Sequence, residues 1–291
     1  MELNGNQFDS SKPVAFFHVP KTGGSALDSA FRRAMGNPTT IQGFDLSLFG
    51  TYDGFSGWSA NQVRRMVFSP DDLDAEARYI SGHLSVPTIL NKYPDAQLVT
   101  LLREPFSRLL SHWVYWRRVC QDDLSGFGTW ADRLRLSLRP LYEFISTPSI
   151  ACQTDNVAVR MLLWPHPLIP DDGFIPPEHD DELVRLALEA LDRFSVVGVY
   201  EDKNRIAGFE SFLGVTLDVH QENETGRIAP GASTKLSNEI DDYTMTLMVD
   251  RCRLDVKLWG HWVEKNFLSP DSLFLVHLLK SVARFSLLLA G

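Results

Sequence analysis

Cysteine is scarce in this chain, with Cys120, Cys152 and Cys252 the only three in 291 residues. The number is odd, no pair has C-x-x-C spacing, and none has a histidine at metal-ligand spacing. A disulfide scaffold and a zinc site are therefore not expected. Basic residues are also in the minority, 28 Lys+Arg against 37 Asp+Glu for a net charge of −9. That balance argues against wholesale binding to nucleic acid or any other polyanion, so an anionic ligand needs a local exception to the overall charge. There is no internal repeat and no low-complexity run. The opening residues 1–12 are polar, lack an apolar signal core and are expected to be flexible, and together with the sparse cysteines they point to the reducing cytoplasm. Residues 273–289 are apolar but interrupted by His277, Lys280 and Arg284. A membrane span needs about 20 mostly apolar residues. Residues 270–291 are thus expected to form a helix that packs on the chain or at an interface, in preference to one lying on a membrane surface, and a homo-oligomer stays open.

What is present is the composition of a globular chain, 44% hydrophobic and 22% charged, which excludes general disorder. Residues 14–19 are an apolar, β-forming run between Pro13 and Pro20 and predict a buried strand. Ala26, Leu27, Ala30, Phe31 and Ala34 then recur at helical spacing. Further strands are expected at 79–81, 97–102 and 194–200. Helices are expected from Pro105 onward, near 153–164, near 179–193 and from Ile206 to Gly214, with two or three more after 237. Residues 37–75 are rich in Gly, Ser, Asn and Asp with scattered aromatics (Phe44, Phe49, Tyr52, Phe55, Trp58) and are expected to be irregular, with short helices, and to wall a substrate site; the aromatics of 44–58 suit stacking on sugar faces and a place in the core equally. Strands alternating with helices predict an α/β fold: one domain over residues 1–291, with a central, mainly parallel sheet flanked by helices and a P-loop-like strand–loop–helix nucleotide site.

Two segments carry candidate chemistry. In Pro20-Lys21-Thr22-Gly23-Gly24-Ser25 a strand delivers the chain to a glycine turn and a helix start. Converging backbone N–H groups, the helix N-terminus, the Lys21 charge and the Thr22 and Ser25 hydroxyls together suit a phosphate. This is not a Walker A loop, which places its lysine after the second glycine. A plain glycine turn capped by Ser25 is the bland alternative. In the second segment, Arg103 ends a strand and is followed by Glu104-Pro105, with Ser111 two turns along the next helix. Ligands of open α/β sheets gather at such strand ends, and an arginine fork suits a phosphate dianion. On the residues alone, Arg103 either holds an anion with Ser111 or pairs with a nearby carboxylate.

Taken together the two segments resemble the sulfotransferases that use 3′-phosphoadenosine 5′-phosphosulfate (PAPS), in the branch that contains heparan sulfate 2-O-sulfotransferase and its bacterial relatives. His18-Val19-Pro20-Lys21-Thr22-Gly23-Gly24-Ser25 matches that family's H-V-P-K-T-G-G-[ST] loop, which grips the 5′-phosphosulfate. Arg103-Glu104-Pro105 with Ser111 matches its R-[DE]-P…S pattern, which holds the 3′-phosphate. Gly82-His83-Leu84-Ser85 matches its G-H-x-S segment, whose histidine is the proposed catalytic base. The three motifs cover about forty residues; residues 155–163 and 194–214 are weakly similar. The resemblance implies a PAPS-dependent O-sulfotransferase acting on a carbohydrate or small-molecule hydroxyl. Its donor site comprises Lys21, Thr22, Gly23, Gly24, Ser25, Arg103 and Ser111, and its catalytic pair is His83 and Lys21. It also implies that Arg160 approaches the nucleotide or substrate, although an exposed helix arginine fits that position equally, and that Arg227 belongs to a basic loop over the nucleotide.

The chemistry is consistent with this. In-line sulfuryl transfer depends on positioning and on charge stabilisation at the leaving oxygen, which Lys21 can supply without a metal. The acceptor hydroxyl needs a base, and a histidine suits that role better than Glu104, which is expected to cap the helix. A catalytically silent nucleotide-binding scaffold of the same fold is the alternative from another class, and a P-loop-like kinase is a weaker one. With no basic run for a polyanionic acceptor, the −9 balance favours a neutral or weakly charged hydroxyl compound.

Overall fold

Val14–Phe17 is buried along its whole length, and its side chains alternate between two apolar layers. Val14 and Phe16 enter one layer while Ala15 and Phe17 enter the other, the two-residue period of a strand covered on both faces. The structure is a computed structural model and describes residues 8–36, 43–58, 63, 67–68, 71, 73–220, 228, 233–266 and 289. In chain order the elements are β1 (Val14–Phe17), α1 (Gly24–Ala34), β2 (Phe44–Asp45), β3 (Val67–Phe68), β4 (Tyr79–Gly82), α2 (Val86–Lys92), β5 (Gln97–Leu102) and α3 (Pro105–Val119). They continue as α4 (Trp130–Arg135), α5 (Leu141–Ile145), α6 (Ala151–Thr154), α7 (Val157–Leu163), α8 (Asp180–Leu191), β6 (Val196–Val199), α9 (Ala207–Leu213), α10 (Leu236–Glu239) and α11 (Asp242–Asn266).

The main sheet has the order β4-β1-β5-β6 and every pairing in it is parallel. This is an α/β fold. One face packs on α1 and α9 through Leu27, Phe31, Phe209 and Phe212. The other packs on α2, α7, α8 and α11 through Ile89, Val159, Leu183 and Leu258. A third apolar cluster lies between α3, α4, α5 and α11 and is rich in large rings, Phe106, Trp113, Trp130 and Phe144 among them. Burying each such side chain contributes about 1.5–3 kcal/mol before entropy is counted. The chain leaves β1 toward β4 on one side and then crosses to β5 on the other. The strand order therefore reverses at β1 and β5, and the crevice beyond their carboxyl ends is where open sheets of this kind place ligands.

Several expectations need correction. The single helix expected near 153–164 is two helices, α6 and α7, because Asn156 between them has φ +46. Its side chain accepts from the Leu254 N–H at 2.7 Å, and the Asp255 carboxylate accepts from the Ala158 and Val159 N–H groups at 3.1 and 3.0 Å. Tertiary partners on α11 thus cap α7 and override the local helical pattern. The irregular segment 37–75 holds a small parallel pair, β2 with β3, and a bridge between Phe44 and His83. The opening segment is tied down from Asp9, whose backbone exchanges two hydrogen bonds with the Gln97 amide at 2.8 and 2.9 Å. Of the apolar stretch 270–291 only Leu289 is described; it is buried in the third cluster. Among the described residues no helix is long and apolar enough to cross a membrane.

Candidate functional site

The chain turns sharply where β1 ends. Lys21 has φ +70 and Gly23 φ +82, and Thr22 closes the turn by donating its hydroxyl to the Val19 carbonyl at 2.9 Å. Both glycines are required by crowding. A Cβ on Gly23 would stand 2.5 Å from the Tyr200 ring, and one on Gly24 would stand 2.6 Å from the His18 ring. Helix α1 then begins with no side chain capping its first turn and no acidic residue in it. Its leading N–H groups and dipole are left to face whatever enters.

The second loop is bonded to the first. Arg103, just past β5, donates through Nη1 to the Lys21 carbonyl at 2.9 Å, and its guanidinium lies 5.0 Å from the centre of the Tyr200 ring. Arg205 stands 5.2 Å from the same ring. Glu104 caps α3, accepting from the Phe106 and Ser107 N–H groups at 2.8 Å each, and the Glu201 carboxylate accepts from the Glu104 N–H at 3.0 Å. Burial raises the Glu104 pKa and pushes Glu201 up to about 7. With both its oxygens used by the helix start, Glu104 caps as expected. One turn beyond Ser111 on α3, the Tyr115 ring carries the Lys21 ammonium 4.0 Å from its centre, a cation–π contact.

His83 follows β4 and is fixed twice over. Its backbone N–H donates to the Gly43 carbonyl at 3.0 Å and its own carbonyl accepts from Asp45 at 3.1 Å. The ring lies between Phe44 (centroids 4.9 Å apart) and His18 (4.5 Å). Nδ1 lies 2.7 Å from the His18 carbonyl oxygen. A carbonyl only accepts, so Nδ1 carries the proton and Nε2 keeps its lone pair. Burial holds the ring's pKa down to about 4, with the Lys21 charge adding to that effect and the bond to His18 opposing it. His18 and His112 are held well below the usual histidine value, mainly by burial.

Lys21, Gly23, Ser25, His83, Arg103 and Ser111 line one cavity of about 1080 Å³. Three segments separated by up to 90 positions thus meet at the switch point of the sheet. Among the described residues its lining cations are Lys21, Arg103, Arg118 and Arg205 against a single carboxylate, Asp122, a local positive excess in an acidic chain. Thr22 and Gly24 lie behind the lining, one spent on the Val19 carbonyl and the other packed on His18. Arg227 lies outside the described residues. Arg160 is neither exposed nor at the cavity: it is buried against Asp155 at 2.8 Å and donates to the Pro170 and Gly173 carbonyls.

The cavity also brings in residues that the sequence did not single out as a site, namely His112, Tyr115, Tyr200 and Arg205. Tyr115 and Arg118 follow Ser111 at i+4 and i+7, one face of the helix, a spacing that could have marked them. Tyr200 directly follows β6, another strand end.

No family model matches the chain, and no curated protein matches it. Among solved structures it is similar to a sulfotransferase from Alicyclobacillus acidocaldarius, 17% identical over 86% of this chain and 95% of that chain, with a TM-score of 0.41. A likeness that loose carries no functional argument.

Proposed function

We propose that the chain is a PAPS-dependent O-sulfotransferase. The observation that carries this is the convergence of the three motif segments on one positively charged cavity, with His83 held in the tautomer that leaves Nε2 as an acceptor. In this mechanism the uncapped start of α1, Ser25 and Lys21 receive the 5′-phosphosulfate. Arg103 and Ser111 receive the 3′-phosphate, where a planar fork has the advantage over an ammonium.

Transfer moves one sulfuryl group. The acceptor hydroxyl gives its proton to His83 Nε2 as its oxygen bonds to sulfur. The bond from sulfur to the bridging oxygen breaks, and adenosine 3′,5′-bisphosphate leaves. Lys21 meets the negative charge that grows on that oxygen, and a preorganised donor of this kind is worth roughly 10²–10³ in rate. The positive φ of Lys21 and its carbonyl bond from Arg103 couple the two halves of the donor site, so the loop is set before the donor arrives.

The test is thermal melting with adenosine 3′,5′-bisphosphate, followed by transfer of labelled sulfate from PAPS to a mixed panel of hydroxyl compounds. Stabilisation together with labelled product supports the proposal. Stabilisation without transfer to any acceptor favours a silent nucleotide-binding module. No stabilisation, with magnesium-dependent turnover of ATP, would favour the kinase.

A further inference from the structure

On the far side of His83 from the glycine loop the cavity changes character. Phe44 stacks on His83 and meets Phe49 at 6.0 Å between centroids; Phe49 meets Trp130 at 4.9 Å, Trp130 meets Trp116 at 6.2 Å, and Trp116 meets His112 at 4.8 Å. All of these rings line the cavity. The wall of rings is thus continuous from the candidate base to His112.

His112 is the informative residue. It is only 3% exposed and lines the cavity, and neither ring nitrogen has a hydrogen-bond partner among the described residues. Leaving a buried polar group unsatisfied is costly. Its ring is neutral, because burial and the charges of Arg108 and Lys21 oppose protonation. It therefore offers one N–H donor and one acceptor, a match for a hydroxyl or an amide and not for an anion alone. Charge agrees with this. Arg118 is the one cation that lines the cavity outside the glycine-loop and strand-end groups among the described residues, and it is paired with Asp122 at 2.9 Å. An acidic acceptor would meet only this already paired cation on that part of the lining. The volume is compatible with this: about 1080 Å³ lies at the top of the roughly 300–1,000 Å³ range of ligand pockets.

We propose that this aromatic part of the cavity is the acceptor subsite, that it takes an uncharged hydroxyl compound with a flat apolar ring body, and that His112 binds a second polar atom on that compound. The proposal rests on the sulfotransferase mechanism for its chemistry but not for its binding prediction. Isothermal titration of the whole chain with 2-naphthol, 2,7-dihydroxynaphthalene, cellobiose and a uronate-containing disaccharide separates the two. Both naphthols should bind, the diol about tenfold more tightly through one extra hydrogen bond. His112→Leu should remove the diol's advantage and leave 2-naphthol within about twofold, and His112→Asn should restore part of it. The same preferences should recur in labelled-sulfate transfer. Tighter binding of either disaccharide than of the naphthols would overturn the apolar acceptor, and an unchanged diol advantage in His112→Leu would overturn the role of His112. Absence of stabilisation by adenosine 3′,5′-bisphosphate would instead sink the donor assignment, with the naphthol titrations still deciding the subsite.

Discussion

The Nδ1–H of His83 donates to the His18 backbone carbonyl at 2.7 Å, so the residue that opens the glycine loop also sets the tautomer of the candidate base. His83→Asn should keep that donor, because the asparagine amide can reach the same carbonyl, while losing Nε2. Transfer is expected to fall by roughly 10²–10⁴ with nearly unchanged affinity for adenosine 3′,5′-bisphosphate. Single-turnover assays alongside bisphosphate titration measure both, and undiminished transfer would end the assignment of His83 as base.

Arg103 bonds the Lys21 carbonyl as well as facing the cavity. Arg103→Ala should weaken bisphosphate binding by about 10–100-fold, the value of a charge-assisted bond. Arg103→Lys should recover little of it, because an ammonium cannot fork between a phosphate and the loop carbonyl. Lys21→Ala should slow the chemical step in addition to weakening binding. Equal bisphosphate affinity in wild type and Arg103→Ala would remove the arginine from the donor site.

A Cβ on Gly24 would meet the His18 ring at 2.6 Å and Phe16 at 2.8 Å, whereas one on Gly260 in α11 would meet nothing. Gly24→Ala should therefore destabilise by about 1–3 kcal/mol and also lower kcat, since moving His18 moves the carbonyl that holds His83. Gly260→Ala should stabilise by about 0.5–1 kcal/mol with activity unchanged. Chemical denaturation and steady-state kinetics on both variants check the pair.

The histidines His18, His83 and His112 all have pKa values depressed in the fold, His83 to about 4. Below the unfolded value of about 6.5 the unfolded chain binds more protons than the native one. Stability from these groups is thus present above pH 6.5 and is lost as pH falls toward 4, at up to about 1.4 kcal/mol per pH unit for each. Glu201 and Asp255, raised to about 7 and about 6, act in the opposite sense, weakening the fold as pH rises from about 4.5. Melting temperatures from pH 7.5 to 4.5 should fall less steeply for His112→Leu than for wild type. Parallel curves would show that His112 is not held neutral by the fold.

The layout was largely legible in the residues. The four sheet strands lie at the expected segments, β4 running one residue further to Gly82, and Glu104 caps α3 as its place before Pro105 suggested. Such features are local: period-two burial, a proline that pre-sets a helix start, a carboxylate two or three residues from open N–H groups. Asn156 was not legible, because the bonds that force its positive φ come from Leu254 and Asp255, about a hundred residues away. Arg160 misled because its helix turns it inward against Asp155 and the Pro170 carbonyl instead of toward the cavity.

For the site, the sequence by itself determined which chemical groups are available: a lysine and two glycines at a strand–helix junction, a histidine after one strand, an arginine after another. Each of these follows from short-range spacing on single elements. Only the tertiary structure decided that they share one cavity, that His83 is protonated on Nδ1, that Thr22 is spent inside its own turn, and that an unpartnered His112 faces a wall of rings. Those outcomes depend on parallel register between strands separated by up to 100 residues and on the packing of α3 across their ends, which no local pattern encodes.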